Sequence, residues 1–118
     1  MNYESAKSFL LAQRDAVADY PFGPDPLAAK VEGKIFGLLW DRNGTGNLNL
    51  KCDPQEALAL RDIFPSVLPG YHMNKRHWNT VVLDGSIPDG EIERMIENSW
   101  ALVVNSLTRR QRQSLLGR

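Results

Sequence analysis

With a single cysteine, Cys52, this chain can form no disulfide within itself, so packing and hydrogen bonds must hold the fold. Apolar runs long enough to span a bilayer are missing. The first dozen residues lack the basic region and long apolar run of a signal peptide, so a cytoplasmic protein is expected. Net charge is also lacking: 14 Lys and Arg face 14 Asp and Glu. That balance excludes a global attraction to nucleic acid or to anionic lipid. Internal repeats, low-complexity tracts and linkers are absent, and one domain over residues 1–118 is expected. No nucleophile motif is present, and Gly44-Thr45-Gly46 lacks the length and the lysine of a phosphate-binding loop. No cofactor, metal or enzymatic activity is expected.

What is present suits a packed core. Apolar residues make up 42% of the 118, including three Trp, three Tyr and four Phe. Charge is unevenly spread. Residues 105–118 carry Arg109, Arg110, Arg112 and Arg118 and no acid, so a basic tail sits on an acidic body.

The periodicity predicts a helix from Tyr3 to about Ala18, with Asn2 as cap and Ala6, Phe9, Leu10, Gln13 and Val17 on one stripe. Pro21, Pro24 and Pro26 end it. Strands follow at Leu27–Glu32, Lys34–Trp40 and Gly46–Cys52, joined by turns at Glu32-Gly33 and Asn43-Gly44. In the second strand, alternation places Ile35 and Leu39 on one face and Phe36, Leu38 and Trp40 on the other. Asp53-Pro54-Gln55-Glu56 starts a helix to about Ile63, with Asp53 as cap and Glu56 reaching back to it. An extended piece is expected at Gly70–Met73 and a strand at Trp78–Leu83, turned by Asp84-Gly85. A helix opens near Pro88 and buries Ile92, Met95, Ile96, Ser99, Trp100 and Val103. Thr108-Arg109-Arg110-Gln111 caps a last helix to about Leu116. Short hairpins imply an antiparallel sheet with helices packed on one face, an α+β fold. The other face, with Lys30, Lys34 or Phe36, Asn47, Asn49 and Lys51, is expected to be open.

The densest stretch runs from Gly70 to Thr80: Gly-Tyr-His-Met-Asn-Lys-Arg-His-Trp-Asn-Thr. Lys75 and Arg76 are the best phosphate-contact candidates, Asn74 and Asn79 could donate to phosphate or bases, and His77 and Trp78 could stack on bases. The alternative is a folding role, with Tyr71, Met73 and Trp78 in the core and His72, Asn74 and Asn79 satisfying backbone groups. His72 and His77 are five apart, without further ligands for a metal. Cys52 falls on the inward side of its strand, as an inert buried thiol would.

These motifs carry a family resemblance. Pro21-Phe22-Gly23-Pro24, Lys30-Val31-x-Gly33-Lys34-x-Phe36, Leu50-Lys51-Cys52-Asp53-Pro54, the 70–81 stretch and Leu83-Asp84-Gly85-x-x-Pro88-Asp89 occur in that order. Together they resemble the MmcQ/YjbR family of small bacterial proteins. The resemblance implies a CyaY-like (frataxin-like) twisted sheet with helices on one side, and DNA binding through two wing-like hairpins. Here the wings are the Gly33 and Gly44 turns, flanked by Lys30, Lys34 and Arg42. Frataxins hold iron on an acidic ridge, and the first helix here lacks clustered carboxylates.

The leading expectation is a non-catalytic, monomeric DNA-binding protein using Lys75, Arg76, His77 and Asn74, assisted by Lys34 and Arg42. Two others stand beside it. A protein-interaction module would use the open sheet face and the 70–80 stretch. A small-molecule binder would need a pocket between the sheet and residues 70–80.

Overall fold

The computed structural model describes residues 1–116, so Arg118 of the basic tail lies outside the described residues. Helix α1 spans Tyr3–Leu11. The Asn2 side chain accepts from the Ser5 N–H, and Ser5 Oγ accepts from the Asn2 N–H, each at 2.9 Å, so two helix-end donors are satisfied reciprocally. The helix stops well before Ala18. Asp15 takes a left-handed backbone (φ 56°), and Val17–Asp19 form strand β1 instead. Val17, expected on the buried stripe, is 62% exposed. Its helical spacing was one coincident position, and pairing along the sheet edge outweighed it.

Strands β2 (Leu27–Val31), β3 (Lys34–Arg42) and β4 (Thr45–Lys51) form the expected meander. Both turns hold two successive residues at positive φ, Glu32-Gly33 and Asn43-Gly44, the backbone that suits tight hairpins. Helix α2 is Pro54–Ile63, capped by Asp53 Oδ2 on the Gln55 and Glu56 amides. Glu56 does not reach back to the cap. It pairs with Arg94 at 2.6 Å, which ties α2 to a later helix. Strand β5 falls at Val67–Pro69 rather than at Gly70–Met73, and β6 is Trp78–Val82. After β6, Asp84 accepts from Ser66 Oγ, Ser86 N and Ser86 Oγ at 2.5, 3.0 and 2.6 Å. These donors hold its carboxyl down at about 2. Helix α3, Asp89–Asn105, buries Ile92, Met95, Ile96, Ser99 and Val103 as expected, while Trp100 is only half-buried and donates its Nε1 to the Arg14 carbonyl at 3.0 Å. In α4 (Arg109–Leu116) the Thr108–Gln111 capping box is formed as predicted.

The six strands lie in the order β1-β2-β3-β4-β6-β5, every neighbour antiparallel. Register stacks Leu27, Leu39, Leu48, Val81 and Val67 across one face. They join Ala6 and Leu10 of α1, Leu60 of α2, Ile92 and Ile96 of α3, and Leu115 of α4 in one core. The helices therefore share that face. At Gly37 a Cβ would stand 2.7 Å from Leu10 Cδ2, so the glycine lets α1 settle against the sheet.

A bulge changes the facing of β3. The register shifts between Ala29 and Lys30, which pair with Gly37 and Ile35, so Phe36 is an extra residue. Phe36 and Gly37 both turn to the helices, and Phe36 is fully buried with its carbonyl bound by Ser99 Oγ at 2.6 Å. Strict alternation, which put Phe36 with Leu38 and Trp40, fails at that point. Among the described residues no helix is long and apolar enough to cross a membrane.

Candidate functional site

Away from the helices the sheet presents Ala28, Lys30, Leu38, Trp40, Asn47, Asn49, Thr80 and, at its far end, Lys51. Lys30, Asn47, Asn49 and Lys51 fall on this face as expected, but Lys34 and Phe36 do not. Lys34 turns to the helices and donates to the Ser106 carbonyl at 3.3 Å. Lys30 is paired with Asp19 at 2.7 Å, and Asn49 is only 1% exposed.

Two segments rise over this face and leave a cleft of about 400 Å³ between them. Its floor is Leu38, Trp40 and Asn49; one wall is Phe22, Asp25 and Pro26, the other Tyr71, His72 and Met73. The proline-rich run that ends α1's neighbourhood builds the first wall, because it cannot join the sheet. A ring of three hydrogen bonds fixes the second. The Tyr71 N–H donates to Thr80 Oγ1 at 2.9 Å, the Thr80 hydroxyl donates to Asn49 Oδ1, and Asn49 Nδ2 donates to the Tyr71 carbonyl at 2.9 Å. Every member of the ring both gives and accepts, so these buried polar groups are satisfied. His72 sits at φ 59°, a left-handed conformation that histidine tolerates better than bulkier or branched residues. Its ring rests 4.0 Å from that of Tyr71, and Tyr71 lies 6.1 Å from Trp40. Phe22 and Tyr71 remain 68% and 53% exposed, so their rings are offered to the solvent side of the cleft.

The expected phosphate contacts lie elsewhere. Asn74 Oδ1 accepts from the Arg76 N–H at 2.9 Å and its carbonyl accepts from the His77 N–H at 3.2 Å, closing a turn. The His77 carbonyl accepts from the Cys52 N–H at 2.8 Å, and Lys75 Nζ donates to the Gly70 carbonyl at 3.1 Å. Arg61 of α2, unremarked in the sequence, organises this loop. Its Nε donates to Asn79 Oδ1 at 2.7 Å, and its terminal nitrogen donates to the carbonyls of Trp78 and Lys75. Asn79 Nδ2 completes the anchor on the Ala57 carbonyl at 3.3 Å. The one hint to Arg61 was its place four residues after buried Ala57, on the flank of the helix's inner stripe.

Arg61, Lys75 and Arg76 thus line a groove of about 510 Å³ with Pro54, Gln55 and Leu58. Arg42 does not join them. Lys34 and Arg42 terminate the nine-residue β3, which sets them roughly 26 Å apart at 3.3 Å per residue. The two hairpin turns therefore point to opposite ends of the sheet. Cys52 is half-buried, and burial pushes its thiol up to about 11.

Relatives share this architecture. The YjbR family model matches residues 11–102. Uncharacterized protein YbdF of Escherichia coli O157:H7 is 40% identical over 94% of this chain and 91% of its own. Uncharacterized protein YjbR of E. coli K12 is 37% identical over 74% of each. The crystal structure of Deinococcus radiodurans protein DR2400 superposes with a TM-score of 0.88 at 30% identity, covering 97% of this chain and 87% of that one. A crystal structure from Pseudomonas syringae gives 0.76 at 29% identity, over 86% and 98% of the two chains. By family model, by identity along most of its length and by fold, the chain belongs to the YjbR family.

Proposed function

We propose that this protein binds a small molecule in the cleft between its sheet and residues 71–73, without a catalytic step. The observation that carries the reading is the cleft itself: about 400 Å³, lined by the aromatic rings of Phe22, Trp40 and Tyr71. That volume and aromatic lining are typical of ligand sites. Its wall is already fixed by the Asn49–Thr80–Tyr71 ring. A mixture of small aromatic and aliphatic fragments titrated into isotope-labelled protein tests it by NMR. Shifts should concentrate on Trp40, Asn49, Tyr71 and His72, and Trp40→Ala should remove them. Shifts confined to other surfaces would overturn the reading.

The groove of Arg61, Lys75 and Arg76 supports a second reading, phosphate contact with DNA. Fluorescence anisotropy with labelled duplex and single-stranded DNA across a salt series tests it. A Lys75→Ala/Arg76→Ala variant should lose roughly two units of salt slope. No binding at low salt would dispose of it. The CyaY-like reading of the fold is supported by helices confined to one sheet face.

A further inference from the structure

Electrostatics narrows the choice of ligand for the cleft. Three aromatic side chains, Phe22, Trp40 and Tyr71, contribute to its lining. Each ring face carries partial negative charge, which attracts a cation beyond the dispersion that a neutral alkyl group of the same shape also gains. Asp25 is the one carboxylate among the lining residues, and no Lys or Arg lines the cleft among the described residues. Lys30, on the same sheet face, is neutralised by Asp19. Arg42 lies two residues beyond Trp40 but is not part of the lining. Further carboxylates, Glu4 and Asp41, gather near this end of the sheet. Burial first, and then Asp25, Glu4 and Asp41, raise the Tyr3 phenol above its ordinary range. An anionic or phosphorylated ligand would meet repulsion from Asp25 with no Lys or Arg to offset it, and His72, the one basic group in the lining, is stacked 4.0 Å from Tyr71.

On the reading of this cleft as a ligand site, we infer that its ligand is a small organic cation, an alkylated ammonium seated against Phe22, Trp40 and Tyr71 with Asp25 as counter-charge. A bulky, weakly hydrated ammonium suits such a site better than a primary amine. It gives up little solvation on entering and has no N–H donors that an apolar floor such as Leu38 would leave unpaired.

The test compares choline with 3,3-dimethylbutan-1-ol, which has the same shape but a carbon in place of the charged nitrogen, and with the anion 3,3-dimethylbutanoate. Each is titrated into labelled protein by NMR, with far-UV circular dichroism to verify that every variant is folded. Choline should bind at the cleft about 10-fold more tightly than the neutral alcohol, and the carboxylate more weakly than either. Asp25→Asn should weaken choline by about 3- to 10-fold and leave the alcohol unchanged. Tyr71→Phe should retain choline binding, and Tyr71→Leu should lose most of it. Arg42→Gln should not weaken choline. Equal affinity for choline and the alcohol at the cleft would refute the cation and leave the ligand site standing. Binding of none of the three at the cleft would also refute the cation, and the fragment titration then decides whether the cleft is a site at all.

Discussion

Replacing Arg61 with methionine tests whether the 70–80 loop is held from α2. Methionine keeps the apolar stem and removes the guanidinium. Three hydrogen bonds go, to Asn79 Oδ1 and to the carbonyls of Lys75 and Trp78. The Lys75 carbonyl is exposed and can be rehydrated at little cost, and the Trp78 carbonyl keeps the Gly70 N–H at 2.9 Å. Asn79 is 2% exposed, and its Oδ1 would be left without its charged donor. A hydrogen bond to a charged group contributes about 1.5–3 kcal/mol, and stranding a buried acceptor costs about 1–3 kcal/mol. These overlap, so a net loss of about 2–4 kcal/mol is expected. Unfolding entropy of about 2.1 cal/mol/K per residue converts each kcal/mol to roughly 4 °C in a chain of this length. Differential scanning calorimetry should therefore show Tm lower by about 8–16 °C. Asn79→Ala in a double-mutant cycle should show coupling of at least about 1 kcal/mol. Arg76→Ala, on the same loop but exposed, should move stability by less than about 0.5 kcal/mol. A loss below about 0.5 kcal/mol for Arg61→Met, or additivity with Asn79→Ala, would refute the anchor.

Other consequences are as direct. Gly70→Ala would set a Cβ 2.7 Å from Trp78 Cβ and 2.8 Å from its carbonyl oxygen. The β5–β6 junction must then shift, and urea denaturation should show a loss of about 1–3 kcal/mol. With Cys52 pushed to about 11, alkylation by iodoacetamide at pH 8 should run about 100-fold slower than for a free thiol. Unfolding in urea should abolish the difference. Asp84 is depressed from 3.8 to about 2, so its contribution to stability is present above pH 4 and is lost as pH falls toward 2. Asp84→Asn should flatten acid unfolding in that window, and an unchanged acid limb would show that the three donors do not stabilise the folded carboxylate.

The sequence made the sheet and most helices legible because local rules agreed with the fold. Asn2, Asp53 and Thr108 cap helices where capping chemistry predicted, and the Glu32-Gly33 and Asn43-Gly44 turns fell in place. The misreadings came where tertiary geometry overrode a period. One inserted residue at Phe36 reversed its facing, and α1 ended at Leu11, two turns early, with the turn through Asp15 releasing Val17 to the sheet edge. The 70–80 stretch was recognisable as dense in hydrogen-bonding groups. What each group does depends on facing. Asn79 and Thr80 are neighbours in sequence, yet Asn79 is gripped from α2 while Thr80 clamps the cleft wall on the opposite face. The cleft itself joins residues some fifty positions apart, Phe22 with Tyr71, and no local pattern announces such a meeting.

The clamp on that wall has a bearing on how the site can change. The ring of bonds through Asn49 and Thr80 engages Tyr71 only by its backbone N–H and carbonyl. Nothing in it uses the side chains of Tyr71, His72 or Met73. Those three positions can be exchanged while the loop stays moored, provided residue 72 accepts its left-handed backbone. Recognition is thereby separated from architecture. Variation at 71 and 73, and at Phe22 on the facing wall, can retune what the protein holds without loosening the scaffold that holds it, which makes this cleft a favourable starting point for directed changes of ligand preference.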